Sequence, residues 1–362
     1  CIRDSSYSYN AGTKILTNPV SNTFEKTQVA GYESLDWKDC YEKAAYYAGI
    51  IMGRNPDVSY GTYRLLSFDE LWKKSGFDES EHMFSVRTRS ADEEYGNGVH
   101  QWYCGMQDAG GVLQKGPWVG NRFHWYCLFD NEDYRITKGV KHRFQYDSQV
   151  KNGRGYYYPG TPEYKLMATG KNMDDVKVQE PVAPFNDGLT YTNSISSNCL
   201  AFTTKYADVT DPTIGRTDAY WPFLRYADIV LIYAEAQCEL NDGISQDAID
   251  ALNDIRIRSN AKEASVTGDG AIETKVELRS VIFEERAKEL AYEGDRRWDL
   301  LRWGIYLDVM NSLGGINEDG TRTPYDEGSI NKRREFRHLL YPLPSLEVST
   351  NMAIDKNNPG WN

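Results

Sequence analysis

The feature that most constrains the fold is a pair of helices predicted after Pro222. Apolar residues recur there at intervals of three and four, which is the period of one helix face. They are Ala227, Val230, Leu231, Ala234 and Cys238 in the first helix and Ala248, Ala251, Leu252 and Ile255 in the second. The turn at residues 241–243 (NDG) is of a kind that ends a helix. Ala236 and Ala248 are small enough for two antiparallel helices to approach closely, so the pattern predicts an αα-hairpin of the tetratricopeptide kind.

A single hairpin of this kind cannot bury its own apolar face. Its neighbours must be degenerate helices of this chain or must lie outside it. One candidate starts at Asp36, carries apolar residues from Trp37 to Met52, and stops at Gly53. Two more helices are predicted around residues 283–291 and 298–303. We therefore expect a mainly α-helical fold with tetratricopeptide-like hairpins.

The rest of the chain is less regular. A short helix is predicted at residues 68–72 and a strand at 82–87, whereas the following stretch is rich in glycine and weakly periodic. A long stretch of this kind is usually functional or an inserted loop region. We divide the chain into a partial N-terminal helical region (1–90), a loop-rich region expected to face the ligand (91–221) and a C-terminal helical region (222–362).

Aromatic residues make up 13% of the chain, with 26 Tyr, 9 Trp and 12 Phe. An excess of Tyr suggests surfaces where a ring face and a hydroxyl are both useful. A sugar ring offers apolar C–H faces and hydroxyls to such a surface. The alternative is that these rings only pack the loops onto the helices. The candidate ligand-binding residues, all in the loop-rich region, are Trp102, Tyr103, Trp118, Arg122, Trp125, Tyr156 and Tyr157.

The net charge of −12 argues against several partners. Nucleic-acid binding needs concentrated Lys and Arg, and an acidic chain is repelled by anionic lipid. No run of 18 apolar residues is present, so no membrane-spanning helix is predicted. The composition is compatible with a neutral ligand.

No motif predicts catalysis, a metal or a cofactor. The five histidines are scattered, and no zinc, P-loop or nucleophile-elbow spacing occurs. The segment 293–303 is dense in Glu, Asp and Arg, which we interpret as an ion network buried beneath Trp298 and Trp303, not as the carboxylate pair of a glycosidase. Most of the six cysteines are expected to be buried thiols, and Cys104 and Cys127 are the best pair if any disulfide forms.

Four segments in order resemble the motifs of the SusD/RagB family. Residues 225–236 (RYADIVLIYAEA) resemble its RYAD…YAEA helix, and residues 251–258 (ALNDIRIR) its LN-x-I/V-R-x-R helix. The block 284–304 and the terminal segment 340–360 resemble its ER…EG…RW…RW and LYPIP…NPG motifs. The resemblance is close over residues 222–362, looser over 36–90, and limited to a variable loop-rich region between them.

The resemblance implies a non-catalytic glycan-binding protein, lipid-anchored on the extracellular face of the outer membrane. It implies an oligosaccharide or polysaccharide ligand, which is delivered to a TonB-dependent SusC-like transporter. Alternatives are a peptide ligand, as in the RagB branch, a protein-interaction scaffold, or a glycoside hydrolase. Members of the family usually open with a lipidated Cys followed by repeat helices. Cys1 is therefore either a mature lipidated terminus or an internal residue of a longer parent chain that carries the anchor.

Overall fold

The computed structural model describes two compact units, a larger one (residues 38–296) and a smaller one (1–37 and 297–362). The division into three regions that we made from the sequence stays a prediction. The described residues are 8–10, 15–17, 36–56, 58, 62–77, 80–108, 112–126, 128–130, 132–144, 154–158, 190–193, 200–312 and 334–361.

The larger unit is mainly helical, which confirms the predicted fold class. Its helices are α1 (Trp37–Ile51), α2 (Phe68–Leu71), α3 (Val99–Cys104), α4 (Phe123–Tyr126), α5 (Tyr134–Thr137), α6 (Tyr226–Leu240), α7 (Gln246–Arg258) and α8 (Lys275–Glu289), with a 3-10 turn at Lys74–Gly76. Helices α1, α6 and α7 follow the predicted periodicity within a few residues at each end, whereas α8 begins eight residues before the predicted position. The three short helices α3, α4 and α5 lie in the region that we predicted to be loop-rich, where sequence periodicity gives no signal.

Helices α6 and α7 form the predicted hairpin, and α8 packs against both. The hairpin is tight because Ala234, Ala236, Ala248 and Ala251 are fully buried where the helices meet. Helices α7 and α8 each begin at a side-chain cap, which satisfies backbone N–H groups that have no partner within the helix. Ser245 accepts a hydrogen bond from Ala248 N at the start of α7, and a Thr274 capping box starts α8.

Helix α1 supplies the neighbour that a single hairpin requires. Tyr41 and Ala45 of α1 are buried in one cluster with Ala236 of α6. The Tyr41 hydroxyl donates to the Glu235 carboxylate over 3.0 Å, so the contact includes a buried polar bond. The predicted packing of a degenerate helix against the hairpin is therefore confirmed.

The strands of the larger unit are short and form small separate sheets. They are β3 (His82–Val86), β4 (Met106–Gln107), β5 (Leu113–Lys115), β6 (Asn121–Arg122), β7 (Arg143–Phe144), β8 (Arg154–Tyr157), β9 (Thr190–Asn193), β10 (Leu200–Ala201) and β11 (Trp221–Arg225). Antiparallel pairs join β3 to β11, β4 to β5 and β6 to β10, while β8 lies between antiparallel β7 and parallel β9. The small sheets brace the loops against the helices.

The helices and β11 are held together by a buried network of charged side chains. It joins five acidic and five basic residues, namely Glu81, Asp133, Glu285, Glu289, Glu293, Arg135, Lys205, Arg225, Arg256 and Arg258. Arg225 lies at its centre and bonds to Glu81 over 2.6 Å and Glu293 over 2.7 Å. Charges balanced in this way can be buried because each is paired and hydrogen-bonded.

The smaller unit contains the β1–β2 hairpin (Ser8–Asn10 and Ile15–Thr17), α9 (Arg296–Arg302), α10 (Tyr306–Ser312), a 3-10 turn (Phe336–Leu339) and α11 (Ser345–Thr350). The guanidinium of Arg297 stacks on the rings of Tyr306 and Tyr341. Trp303 is fully buried, as we predicted. Trp298 is not, because 58% of its side chain is exposed, and the prediction that it supplies burial was wrong.

Three cysteines test the thiol prediction directly. Cys104 and Cys238 are buried free thiols, as expected, whereas Cys40 is a free thiol that is only half-buried. Burial raises the pKa of Cys104 and of Cys238 to about 12, so both are neutral. Because Cys104 is a free thiol, the disulfide with Cys127 that we considered does not form. In the part of the chain that the structure describes, no helix is long and apolar enough to cross a membrane.

Candidate carbohydrate-binding surface

Two exposed tryptophans lie on neighbouring backbone segments of the larger unit. Trp102 lies on α3 and Trp118 on the loop after β5, and their side chains are 50% and 71% exposed. The backbone N–H groups of Trp118 and Val119 both donate to the Trp102 carbonyl, over 2.8 and 3.0 Å. We name this pair, Trp102 and Trp118, the aromatic platform. Exposed apolar surface of this kind often marks a binding site when it is contiguous and rimmed by polar residues.

Glycines on either side of α3 make the platform possible. A Cβ at Gly98 would lie 3.3 Å from the Trp102 indole, so glycine leaves room for the ring to fold back over the start of the helix. Gly105 ends the helix with φ +79, and a Cβ there would lie 2.7 Å from the Lys115 carbonyl. Only glycine adopts this conformation at such close backbone approach. Strands β4 and β5 can therefore pair beside α3 and place Trp118 next to Trp102.

Polar groups suited to hydroxyls lie close to the platform. Gln101 precedes Trp102 on α3. Its side-chain amide oxygen lies beside Gly215, 3.0 Å from the point where a Cβ on that glycine would be. The loop containing Tyr95, whose side chain is 57% exposed, runs beside Arg216 and is held by the bridge between Asn97 and Thr217. Helix α3 and the segments that adjoin its start therefore carry an amide, a phenol and a guanidinium group. This combination suits a ligand with apolar faces and many hydroxyls.

Tyr103 turns inward from the same helix. Its ring contacts Tyr206, Trp221 and Tyr292, with centroid distances of 5.3, 6.1 and 6.0 Å. Burial raises the pKa of Tyr103. The aromatic cluster beneath α3 therefore fixes the helix that carries Trp102, and direct contact between Tyr103 and a ligand stays a prediction.

Trp125 does not belong to the exposed surface, and its assignment to the ligand site was wrong. Its side chain is buried, and its indole N–H donates to the Ala287 carbonyl over 2.8 Å. The ring packs edge-on against Phe129 and Tyr292. Trp125 therefore fastens the loop-rich region to α8, as the alternative interpretation of these aromatics proposed.

We expect Trp125→Phe to reduce the free energy of unfolding by about 1–3 kcal/mol, because the Ala287 carbonyl would lose a buried donor. Urea titration followed by circular dichroism measures the change, with Trp118→Phe as the matched control because that ring is exposed. Equal stability of the two variants would contradict this structural role.

Three other predicted residues have side chains outside the described part of the structure. They are Arg122, Tyr156 and Tyr157. Their backbones are described: Arg122 pairs with Leu200 in the β6–β10 sheet, and Tyr156 and Tyr157 lie in the central strand β8. Their role in ligand binding stays a prediction.

A second exposed aromatic pair was not predicted from the sequence. Phe84 of β3 and Phe223 of β11 stack at a centroid distance of 5.7 Å and are 61% and 60% exposed. Strand alternation alone does not predict this, because His82, Phe84 and Val86 share one face by their spacing, yet His82 is buried whereas Phe84 and Val86 are exposed. Pairing with β11 brings Phe223 beside Phe84, and that pairing depends on tertiary structure.

Two acidic residues of segment 293–303, which we weighed as the source of a catalytic carboxylate pair, have arginine partners: Glu293 belongs to the ion network, and Asp299 accepts a hydrogen bond from Arg302 over 2.9 Å. Glu293 and Glu289 of α8 are buried and accept hydrogen bonds from Arg225. Burial raises the pKa of Glu293, but Arg225 and Lys205 outweigh burial and hold it below its usual value. Both carboxylates are therefore ionised acceptors, whereas a general acid must hold a proton. Within the described residues, no cluster of His, Cys, Asp and Glu could hold a metal ion.

The fold and surface together define a class of protein: a helical-hairpin scaffold that displays aromatic rings on inserted loops. Comparison with known proteins identifies the class. The sequence model of the SusD family matches residues 107–361, so the chain belongs to the SusD family. The resemblance found in the sequence motifs is thereby confirmed.

Relatives in the family are similar over part of their length. SusD-like protein P2 of Formosa agariphila is 33% identical over 142 residues, which cover 38% of this chain and 25% of that protein. A SusD homolog of Bacteroides thetaiotaomicron aligns with a TM-score of 0.56 at 19% identity, covering 93% of this chain and 61% of the homolog. Surface glycan-binding protein A of the same species, in complex with laminarihexaose, aligns with a TM-score of 0.56 at 19% identity and coverages of 89% and 60%. The chain thus spans about six-tenths of the solved relatives.

Proposed function

We propose that this chain is the ligand-binding part of a non-catalytic cell-surface protein that captures glycans. The observation that carries the proposal is the aromatic platform, two exposed tryptophans whose backbones are joined by hydrogen bonds, in a SusD-family fold. Sugar rings stack their C–H faces on indoles while their hydroxyls meet polar groups such as Gln101. The laminarihexaose held by a structurally similar protein supports an oligosaccharide ligand.

Capture is followed by transfer, with no bond broken. We propose that the parent protein is lipid-anchored on the extracellular face of the outer membrane and hands its ligand to a TonB-dependent SusC-like transporter. Family membership supports this assignment. The arrangement of Glu289 and Glu293 supports a binding role, because both carboxylates serve Arg225 inside the protein. Purification of the tagged parent protein from outer-membrane extracts is expected to retain a β-barrel transporter.

Binding assays with matched variants test glycan capture. Wild-type protein is expected to bind soluble glucans, with laminarihexaose as the first probe. Trp118→Ala should weaken this binding at least tenfold, which corresponds to about 1.4 kcal/mol of lost stacking. Trp298→Ala is the matched control because it removes another exposed indole, in the smaller unit, and should leave affinity unchanged.

Isothermal titration against a panel of polysaccharides and peptide mixtures provides the measurement. Binding of peptides, together with no binding of any glycan, would assign the chain to a peptide-binding role. Glycan binding that is equally strong in wild type and in a Trp102→Ala/Trp118→Ala double variant would refute the platform as the site. Sustained release of reducing sugar by the purified protein would refute the non-catalytic assignment.

A further inference from the structure

A separate cleft opens on the larger unit where α2 meets the segment that follows β10. Its volume is about 380 Å³, within the range of small-molecule sites. Neither tryptophan of the aromatic platform lines it. The lining residues are Phe68, Asp69, Trp72, Lys73, Lys138, Thr204, Ala207 and Asp208.

The floor of the cleft is aromatic and held firmly in place. Phe68 and Trp72 are both buried, so the cleft touches only their margins. The Lys205 ammonium lies 4.6 Å from the Trp72 ring centroid, and the Arg225 guanidinium 5.1 Å from it. The central ion network therefore fixes this floor. The Trp72 indole N–H has no hydrogen-bond acceptor among the described residues, which is uncommon for a buried donor.

The rim is polar and its charges balance. Asp69 and Lys138 form an ion pair of 2.6 Å, and Asp208 accepts the backbone N–H of Lys74 over 2.8 Å. Lys73 is exposed beside them. Two carboxylates and two ammonium groups thus surround the opening, so the rim offers donors and acceptors without a net charge.

We propose that this cleft is a second binding site, which takes a single neutral sugar residue. The apolar ring edges of Phe68 and Trp72 suit the C–H groups of a sugar ring, and the mixed rim suits hydroxyls that both donate and accept. An anionic sugar would face Asp69 and Asp208, and a cationic sugar would face Lys73 and Lys138. The site goes beyond the proposed function of the platform, because it would let one protein hold a glycan at two places.

Ligand-observed NMR on the Trp102→Ala/Trp118→Ala variant isolates the cleft from the platform. The probes are neutral hexoses (glucose, galactose and mannose), their uronic acids, and glucosamine. At least one neutral hexose should give a saturation-transfer signal at least fivefold stronger than its charged counterparts. Ala207→Trp fills the cleft and should abolish that signal, while Asp242→Trp, in the turn between α6 and α7, should not.

Asp208→Asn provides a second variant that does not depend on filling the cleft. Its amide oxygen still accepts the Lys74 N–H, but the rim gains one net positive charge. The ratio of uronate to hexose signal should therefore rise at least threefold. Circular dichroism confirms that each variant is folded. Absence of any hexose signal, or an equal signal in folded Ala207→Trp, would overturn the proposal. Failure of the wild-type protein to bind laminarihexaose, or unchanged binding in the Trp102→Ala/Trp118→Ala variant, would overturn only the proposed function.

Discussion

Replacing Arg225 with Met is expected to destabilise the larger unit by about 3–5 kcal/mol, the range found when a buried ion pair loses one partner. The side chain is 1% exposed and bonds to three carboxylates, those of Glu81, Glu289 and Glu293. Met has a similar length but carries no charge. The variant therefore leaves acidic groups buried without their main cation. A buried charge without a partner destabilises the fold far more than the loss of the contact alone would.

A matched arginine on the surface provides the control. Arg54 pairs with Asp254 over 2.7 Å and lies over the ring of Tyr233, so it combines an ion pair with a cation–π contact as Arg225 does. Both partners of this surface pair are partly exposed, and Arg54→Met should cost about 0–1 kcal/mol. Urea titration of both variants measures the difference. Similar losses for the two would contradict the central role of Arg225.

A double variant separates charge from packing. Adding Glu293→Gln to Arg225→Met removes one of the stranded carboxylates, so the double variant should be more stable than the sum of the single changes predicts. A strictly additive result would mean that Arg225 acts through its packing against Trp72. This experiment also bears on the proposed cleft, because Trp72 forms part of its floor.

The helices could be predicted from the sequence because their apolar residues repeat with a period that only a helix explains. Ala234, Ala248 and Leu252 sit at intervals that placed the hairpin correctly. The ion network was foreseen only in its C-terminal block. Its partners Glu81 and Arg135 come from distant segments, and a lone charged residue in a loop carries no signal of burial.

The aromatic surface was only partly predicted, because the exposure of a ring also depends on contacts with distant segments of the chain. Trp102 and Trp118 are exposed, whereas Trp125 is buried, although all three lie in similar loop-rich sequence. What distinguishes them is the position of an acceptor: the Ala287 carbonyl of α8 receives the Trp125 indole N–H. No local pattern encodes that contact. Composition therefore indicated that aromatic rings would be displayed, and tertiary structure decided which ones.

Acidification is expected to destabilise the larger unit in two steps, the first of which depends on His82. This histidine is buried against Trp72 and Phe77, and its Nε2 lies 2.9 Å from the Leu71 carbonyl. Burial lowers the pKa of His82 from 6.5 to about 4, and Arg225 and Lys205 nearby act in the same direction. Burial also lowers the pKa of His100. Both rings are therefore neutral in the folded protein at pH 7.

The sign follows from proton binding. Below pH 6.5 the unfolded chain protonates His82, whereas the folded protein does not until about pH 4. The stabilisation that comes from keeping His82 neutral in the folded protein is fully present above pH 6.5. It is lost as the pH falls to about 4, which lowers the free energy of unfolding by about 3 kcal/mol. A second loss follows below pH 4.5, because Arg135 and Arg256 outweigh burial and hold the pKa of Glu285 at about 2.

Urea titrations at intervals of half a pH unit from 7.5 to 3.5 resolve the two steps. The side-chain amide in His82→Gln can still donate to the Leu71 carbonyl but does not titrate. The decrease in the free energy of unfolding between pH 6.5 and 4.5 should therefore be about 2 kcal/mol smaller in this variant, because each unit of pKa difference corresponds to 1.36 kcal/mol. His100 would account for the remaining slope, and the loss below pH 4.5 should be unchanged, which makes it an internal control. An unaltered slope in His82→Gln would mean that the imidazole accepts a proton without leaving its buried position, and that the core beneath β3 is more open to water than its packing indicates.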